Sequence, residues 1–187
     1  MEFHAPPRLT SAQEWQAPPS WSRWALYRAP DPDATAALAA RIAAVTRAGD
    51  TILLSGELGA GKSHFARAFI RHALGASSAE VDIPSPTFTL VQTYDTASDE
   101  VWHADLYRLG SPEEAVELGL DEAMATARCL IEWPERLAPD WPEMAVLLRI
   151  DADPEDPDMA RSLSLWALPG GRTLAHVLSA WPRGEGP

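Results

Sequence analysis

The pattern of apolar and polar positions starts irregular and then settles into short alternating elements. Residues 1–20 carry Pro6, Pro7, Pro18 and Pro19 among polar positions, which breaks any helix and predicts a mobile tail. Trp15, Trp21 and Trp24 stand in and just after it, and three tryptophans are costly to leave in water. A flap docked on the domain and a loosely packed leader are both compatible with them. The run Trp24-Ala25-Leu26-Tyr27 predicts a short first strand. Asp31-Pro32-Asp33 supplies cap and first-turn chemistry for a helix over 34–47, which Gly49 and Asp50 end. Thr51-Ile52-Leu53-Leu54 is an apolar strand that leads straight into a glycine-rich segment. A helix follows over 62–74, closed by Gly75, with Phe65, Ala68, Phe69 and His72 at core spacing.

Beyond a loop at 76–86, residues 88–94 and 101–107 predict two strands joined by the polar turn 95–100. Ser111-Pro112-Glu113-Glu114 predicts a helix start: Ser111 can cap, Pro112 suits the first position and Glu114 closes a capping box. Cys129-Leu130-Ile131 reads as a buried strand ending in Glu132. Residues 145–150 and 163–167 predict late strands separated by an acidic loop at 151–158, and 173–178 a last helix. Strands alternating with helices predict an α/β fold with a partly parallel sheet, helices on both faces and hairpins in its second half. The predicted organisation is a tail over 1–20, one domain over 21–181 and a frayed end over 182–187.

Composition narrows the classes of function. The chain has 187 residues, enough for one domain with a sizeable core. No apolar run approaches the roughly 20 residues of a membrane span, and the start lacks the apolar centre of a secretory signal. A single cysteine, Cys129, allows no internal disulfide and points to a reducing cytoplasm. Cys129 and five scattered histidines show no paired zinc-ligand spacing. Net charge is −12, from 15 Lys+Arg against 27 Asp+Glu, so a broad basic surface for nucleic acid is not expected. That acidity fits a solvated surface, which is the plainer reading, and also one that docks against a basic protein.

The candidate chemistry centres on Gly56-Glu57-Leu58-Gly59-Ala60-Gly61-Lys62-Ser63, a P-loop pattern with a strand before it and a helix after it. Glycines let successive N–H groups turn inward around a β-phosphate, and the following helix adds its positive end. Lys62 places a compact charge between the β- and γ-phosphates, and the Ser63 hydroxyl is a natural magnesium ligand. Lys62 is the only lysine in the sequence; every other fixed positive side chain is an arginine. The expectation is a P-loop NTPase-type three-layer domain that takes a nucleoside triphosphate with Mg2+. Hydrolysis then needs a further carboxylate near the metal and a group that orients water. Asp105 and Glu132 stand at the ends of apolar strands, where a solvated loop residue or helix cap is the plainer reading. Position alone does not divide the two roles between them.

Four motifs in order carry a family resemblance: the 56–63 loop, Ser85-Pro86-Thr87-Phe88-Thr89-Leu90-Val91, His103-Ala104-Asp105-Leu106-Tyr107-Arg108 and Glu132-Trp133-Pro134. Together they closely resemble the TsaE (YjeE) family, the bacterial ATPase component that serves threonylcarbamoyl-adenosine formation in transfer RNA. The similarity runs from about residue 24 to residue 166. The resemblance implies that Ser63 and Glu132 hold Mg2+, that Asp105 serves hydrolysis by positioning water, and that Thr87 lies in a switch-like segment near the γ-phosphate. It implies that Trp133 flanks the metal-site glutamate and that the stretch from Asp31 to Thr35 lies near the adenine. Ser63 replaces the commoner threonine, and Ala104 stands where an aromatic is frequent. The implied partners are the threonylcarbamoyl transferase subunit and its paralogous companion, with transfer RNA reached mainly through that complex.

Plainer readings stand beside these. His103 can be a satisfied structural histidine, Trp133 core, and Arg108 a support for Asp105. Cys129 in a buried strand is expected to be inert. Two other functions fit a P-loop of this size, a small-molecule kinase and a nucleotide-gated binding module with little hydrolysis. A kinase usually brings an arginine-rich lid, which the acidic stretch after Glu132 does not resemble.

Overall fold

A computed structural model describes residues 17–18, 20–75 and 81–182. Trp15, most of the proposed tail, part of the 76–86 loop and the end from 183 lie outside the described residues.

Seven strands form one mixed sheet in the order β1(Ser22–Ala29), β7(Arg161–Ala167), β6(Val146–Ala152), β2(Thr51–Ser55), β5(Arg128–Glu132), β4(Glu100–Asp105), β3(Val91–Asp95). The central four, β6, β2, β5 and β4, run parallel, and antiparallel strands flank them on both sides. The sequence pattern predicts a partly parallel α/β sheet of this kind, though not the strand order. Strands β2 and β5 are buried at every residue, which is why their centres, 52–54 and 129–131, read as unbroken apolar runs. Helices α1(Pro32–Val45), α2(Lys62–Leu74) and α5(Arg172–Ala180) pack through α1, while α3(Glu113–Glu117) and α4(Leu120–Thr126) pair with each other, α4 reaching the sheet at β5. Among the described residues no helix is long and apolar enough to cross a membrane.

Local chemistry explains most boundaries. Asp31 caps α1 by accepting from the Ala34 N–H at 2.7 Å, with Pro32 in the first turn. Strand β1 outruns the predicted 24–27 because residues 22–29 pair with β7 on both sides of a bulge at Trp24. Of the three N-terminal tryptophans, the two within the described residues belong to this edge. Trp21 is buried with its ring 6.3 Å from that of Trp141, and Trp24 donates from Nε1 to the Ala167 carbonyl at 3.2 Å.

Three expectations are corrected. The strand predicted over 88–94 begins only at Val91, because residues 86–90 turn, with Leu90 at φ 65° and Phe88 86% exposed. The capping box at Ser111 does not form: α3 starts at Glu113 without a side-chain cap, and the Glu114 carboxylate accepts from the Gly110 N–H instead, at 3.2 Å. In α2 the buried face is Phe65, Ala66, Phe69 and Ile70, whereas His72 is exposed and Ala68 only half-buried. Packing against both α1 and the sheet moves that face one position along.

Candidate functional site

The site grows out of the carboxyl ends of the parallel strands β2, β4 and β5, the position where open α/β sheets place ligands. Strand β2 delivers the chain into the glycine loop at Gly56, whose φ of 143° suits glycine, and a Cβ there would sit 2.3 Å from the Ile150 carbonyl oxygen. Gly61 at φ 110° then turns the chain into α2, so the unpaired N–H groups of that helix start face the loop. Lys62 is 4% exposed. Its ammonium donates to the carbonyls of Gly56 at 2.8 Å and Glu57 at 2.9 Å, and lies 3.9 Å from the centre of the Trp133 ring. Burial pulls its pKa below the ordinary 10.5, against the opposing pull of Glu132, Glu135 and Asp105.

One helical residue on, Ser63 Oγ donates to Glu132 Oε2 at 2.9 Å. The other oxygen of Glu132 accepts from His103 Nε2 at 2.8 Å, within a fully buried contact. His103 Nδ1 meets no hydrogen-bond partner among the described residues, so the ring serves Glu132 alone. The parallel register of β4 and β5 sets Asp105 opposite Glu132. Asp105 accepts from Thr87 Oγ1 at 2.7 Å and from the Tyr107 N–H at 3.0 Å, and the Ser85 hydroxyl lies 2.9 Å from that of Thr87. Two carboxylates therefore stand side by side with different neighbours, one bound to the P-loop serine and the other to the 85–87 segment.

These groups wall a cleft of ≈ 490 Å³ lined by Leu58, Gly59, Gly61, Lys62, Ser63, Thr87, Asp105, Glu132 and Trp133, all sequence candidates, and by His64, Arg67, Ser85 and Tyr107. Gly56, Glu57 and Ala60 build the loop without lining the cleft. Thr35 sits buried in the first turn of α1, off the cleft wall. That turn is tied to the loop helix by His64 Nε2, which donates to the Pro32 carbonyl at 2.9 Å. Trp133 takes a left-handed backbone, φ 58°, and packs its ring 5.0 Å from that of Tyr107.

Sequence reasoning missed Glu135, which lies three residues beyond Glu132 in the same segment. Its carboxylate accepts from Ser55 Oγ, the residue before the glycine loop. Cys129, buried in β5, has its thiol pKa pushed up to about 12 by desolvation, which leaves it inert. Among the described residues no three His, Cys, Asp or Glu side chains gather as a metal cage. The hard-oxygen pair of Ser63 and Glu132 is the metal-suited feature of the cleft.

Three comparisons bear on this geometry. Residues 29–162 match the family model described as threonylcarbamoyl adenosine biosynthesis protein TsaE. The chain is 48% identical over 101 residues to the tRNA threonylcarbamoyladenosine biosynthesis protein TsaE of Rickettsia felis, covering 54% of this chain and 57% of that one. It is 35% identical over 118 residues to the protein of the same description from Bacillus subtilis, covering 63% of this chain and 71% of that one. The matches thus span little more than half the length of the rickettsial relative. In three dimensions it resembles the crystal structure of Bacillus subtilis YdiB, with a TM-score of 0.67 and 26% identity over 86% of this chain and 95% of that one.

Proposed function

Because the chain belongs to the TsaE family and has a P-loop NTPase-like α/β fold, we propose that it is the magnesium-dependent ATPase of the system that forms threonylcarbamoyl-adenosine in transfer RNA. The observation that carries this reading is the pairing of Ser63 Oγ with Glu132 Oε2 at 2.9 Å, beside Lys62 at the start of the loop helix. Both are hard oxygen donors side by side at the start of the loop helix, the donor chemistry that Mg2+ takes, so the pair would suit it. Bound between Ser63 and Glu132, the metal would polarise phosphoryl oxygens and offset their charge. His103 fixes the Glu132 carboxylate from behind, as histidine–carboxylate supports of metal sites do.

The chain's own groups do the rest. Loop N–H groups and the start of α2 cradle the β-phosphate. Lys62 exchanges the Gly56 and Glu57 carbonyls for phosphate oxygens, a swap that conserves its hydrogen bonds. Asp105 orients the attacking water with the lone pairs that Thr87 and Tyr107 leave free. Thr87 links that carboxylate to a segment able to follow the γ-phosphate. The adenine is assigned to the side of the cleft where His64 meets the first turn of α1, near Thr35. The energy of the cycle passes to the transferase subunit and its paralogous companion in the cytoplasm, and transfer RNA is met mainly through that complex.

The test is phosphate release by the purified chain with ATP and Mg2+, alone and with the transferase subunits. Release that depends on Mg2+ and disappears in a folded Lys62→Ala variant is the expected result. Undiminished turnover in that variant would refute the assignment.

A further inference from the structure

The phosphate loop is held from outside by a residue 101 positions further along the chain: Arg161 Nε donates to the Ala60 carbonyl at 3.0 Å. The same guanidinium donates from Nη1 to the carbonyls of Pro157 at 2.9 Å and Ala160 at 2.7 Å. Arg161 is the first residue of β7, and the turn before it is itself well built. Buried Asp153 accepts from the Glu155 and Asp156 N–H groups through Oδ1, pairs with Arg28, and its own N–H donates to the Ala160 carbonyl. Arg161 therefore bridges a rigid turn and a glycine loop.

The consequence follows from peptide geometry. In a trans peptide the C=O and the N–H point in opposite directions. An Ala60 carbonyl turned out to Arg161 turns the Gly61 N–H the other way, and Gly61 lines the cleft. With glycines at 59 and 61 the loop has few conformational limits of its own, so this peptide would otherwise be free to flip. A flipped peptide would present a carbonyl oxygen to the phosphate in place of a donor. We propose that Arg161 is a positioning residue for phosphate binding, which fixes the Ala60–Gly61 peptide with its N–H toward the nucleotide. The inference rests on the nucleotide-binding reading above and adds a residue to it.

Direct binding of ATP and ADP, by calorimetry on the purified chain, tests the proposal together with steady-state hydrolysis. Arg161→Gln is expected to raise both dissociation constants about tenfold or more, the size of a lost hydrogen bond to a phosphate. KM should rise with them while kcat is retained. Asp156→Ala removes the carboxylate that accepts from the Met159 N–H in the same turn and leaves Ala60 untouched; it should bind as the wild type does. Arg161→Lys keeps one donor for the Ala60 carbonyl and gives up the fork that holds the turn, so affinity should stay within about threefold of wild type. Wild-type affinity in a folded Arg161→Gln chain, or an equal loss in Asp156→Ala, overturns the proposal. Should Arg161→Gln fail to fold, an Arg161→Lys chain that folds and binds tenfold more weakly overturns it as well. A wild-type chain that binds neither nucleotide removes the underlying reading and this one with it, whereas unchanged affinity in the glutamine variant removes this one alone.

Discussion

At the scale of the residue, Glu132 and Asp105 are neighbours with separate attachments. Glu132 is tied to Ser63 and His103, while Asp105 is tied to Thr87 and the Tyr107 N–H. Glu132→Ala should therefore weaken nucleotide binding in the presence of Mg2+ and leave metal-free binding little changed. Asp105→Ala should bind nucleotide and fail to turn it over. Titration of both variants with a fluorescent nucleotide, with and without Mg2+, separates the roles; equal loss of binding in both would remove the division. Lys62 adds a dependence on pH. Burial holds its free-chain pKa below 10.5, and phosphates beside it favour the charged form. Above that lowered value binding must take up a proton, so ATP affinity should fall as pH rises through it. Dissociation constants measured across the alkaline range check this, and an affinity that holds level up to 10.5 speaks against it. The loop residues were legible because their chemistry is local. Glu135 and Arg161 were not, since Ser55 and Ala60 reach them only through the sheet, across 80 and 101 positions.

At the scale of the element, the join between β2 and α2 bears the tightest steric limit. A Cβ on Gly56 would lie 2.3 Å from the Ile150 carbonyl oxygen, which is backbone and cannot swing aside, on a φ of 143°. Gly56→Ala should cost roughly 2–4 kcal/mol in urea denaturation. Gly59→Ala meets nothing within 4 Å and should cost only its positive-φ strain, about 1 kcal/mol. The sequence read β2, α2 and β5 to within a residue or so because each is bounded by glycine or by a change of polarity. It misread residues 88–90 as strand because Phe88, Thr89 and Leu90 have strand propensity. The turn there is stabilised instead by the Leu90 N–H donating to the Pro86 carbonyl at 2.6 Å and by Thr87 reaching Asp105. That misreading fell on the very segment that contacts the candidate catalytic acid, where function and propensity part ways.

At the scale of the whole molecule, the sheet order and the −12 charge bear on how the protein is used. Leu58 on the cleft wall and Phe88, next in sequence to the cleft-lining Thr87, are both exposed, and the chain carries 27 acidic against 15 basic residues. A P-loop component that drives a complex should be slow alone and quicken when docked. The isolated chain should therefore show weak ATP hydrolysis that rises when the transferase subunits are added. The rise should shrink between about 0.05 and 0.5 M salt as screening shortens the reach of surface charge. Thr87→Ala should lower the stimulated rate more than it lowers nucleotide affinity. Fast turnover by the isolated chain, indifferent to those subunits, would return a free-standing kinase to the front. The α/β class was readable from alternation alone. The antiparallel flank of β1 on β7 was not, because pairing across 143 residues leaves no local trace, as the Trp24 to Ala167 bond illustrates.

The solitary lysine under the Trp133 ring makes the protein its own reporter. An amine-directed acylating reagent has one side chain to find, and that side chain is buried against the loop carbonyls. Mass spectrometry of the labelled chain would then separate two sites only, the α-amino terminus and Lys62. Labelling at Lys62 should fall in proportion to nucleotide occupancy while the terminus continues to react, so one spectrum yields both the measurement and its internal standard.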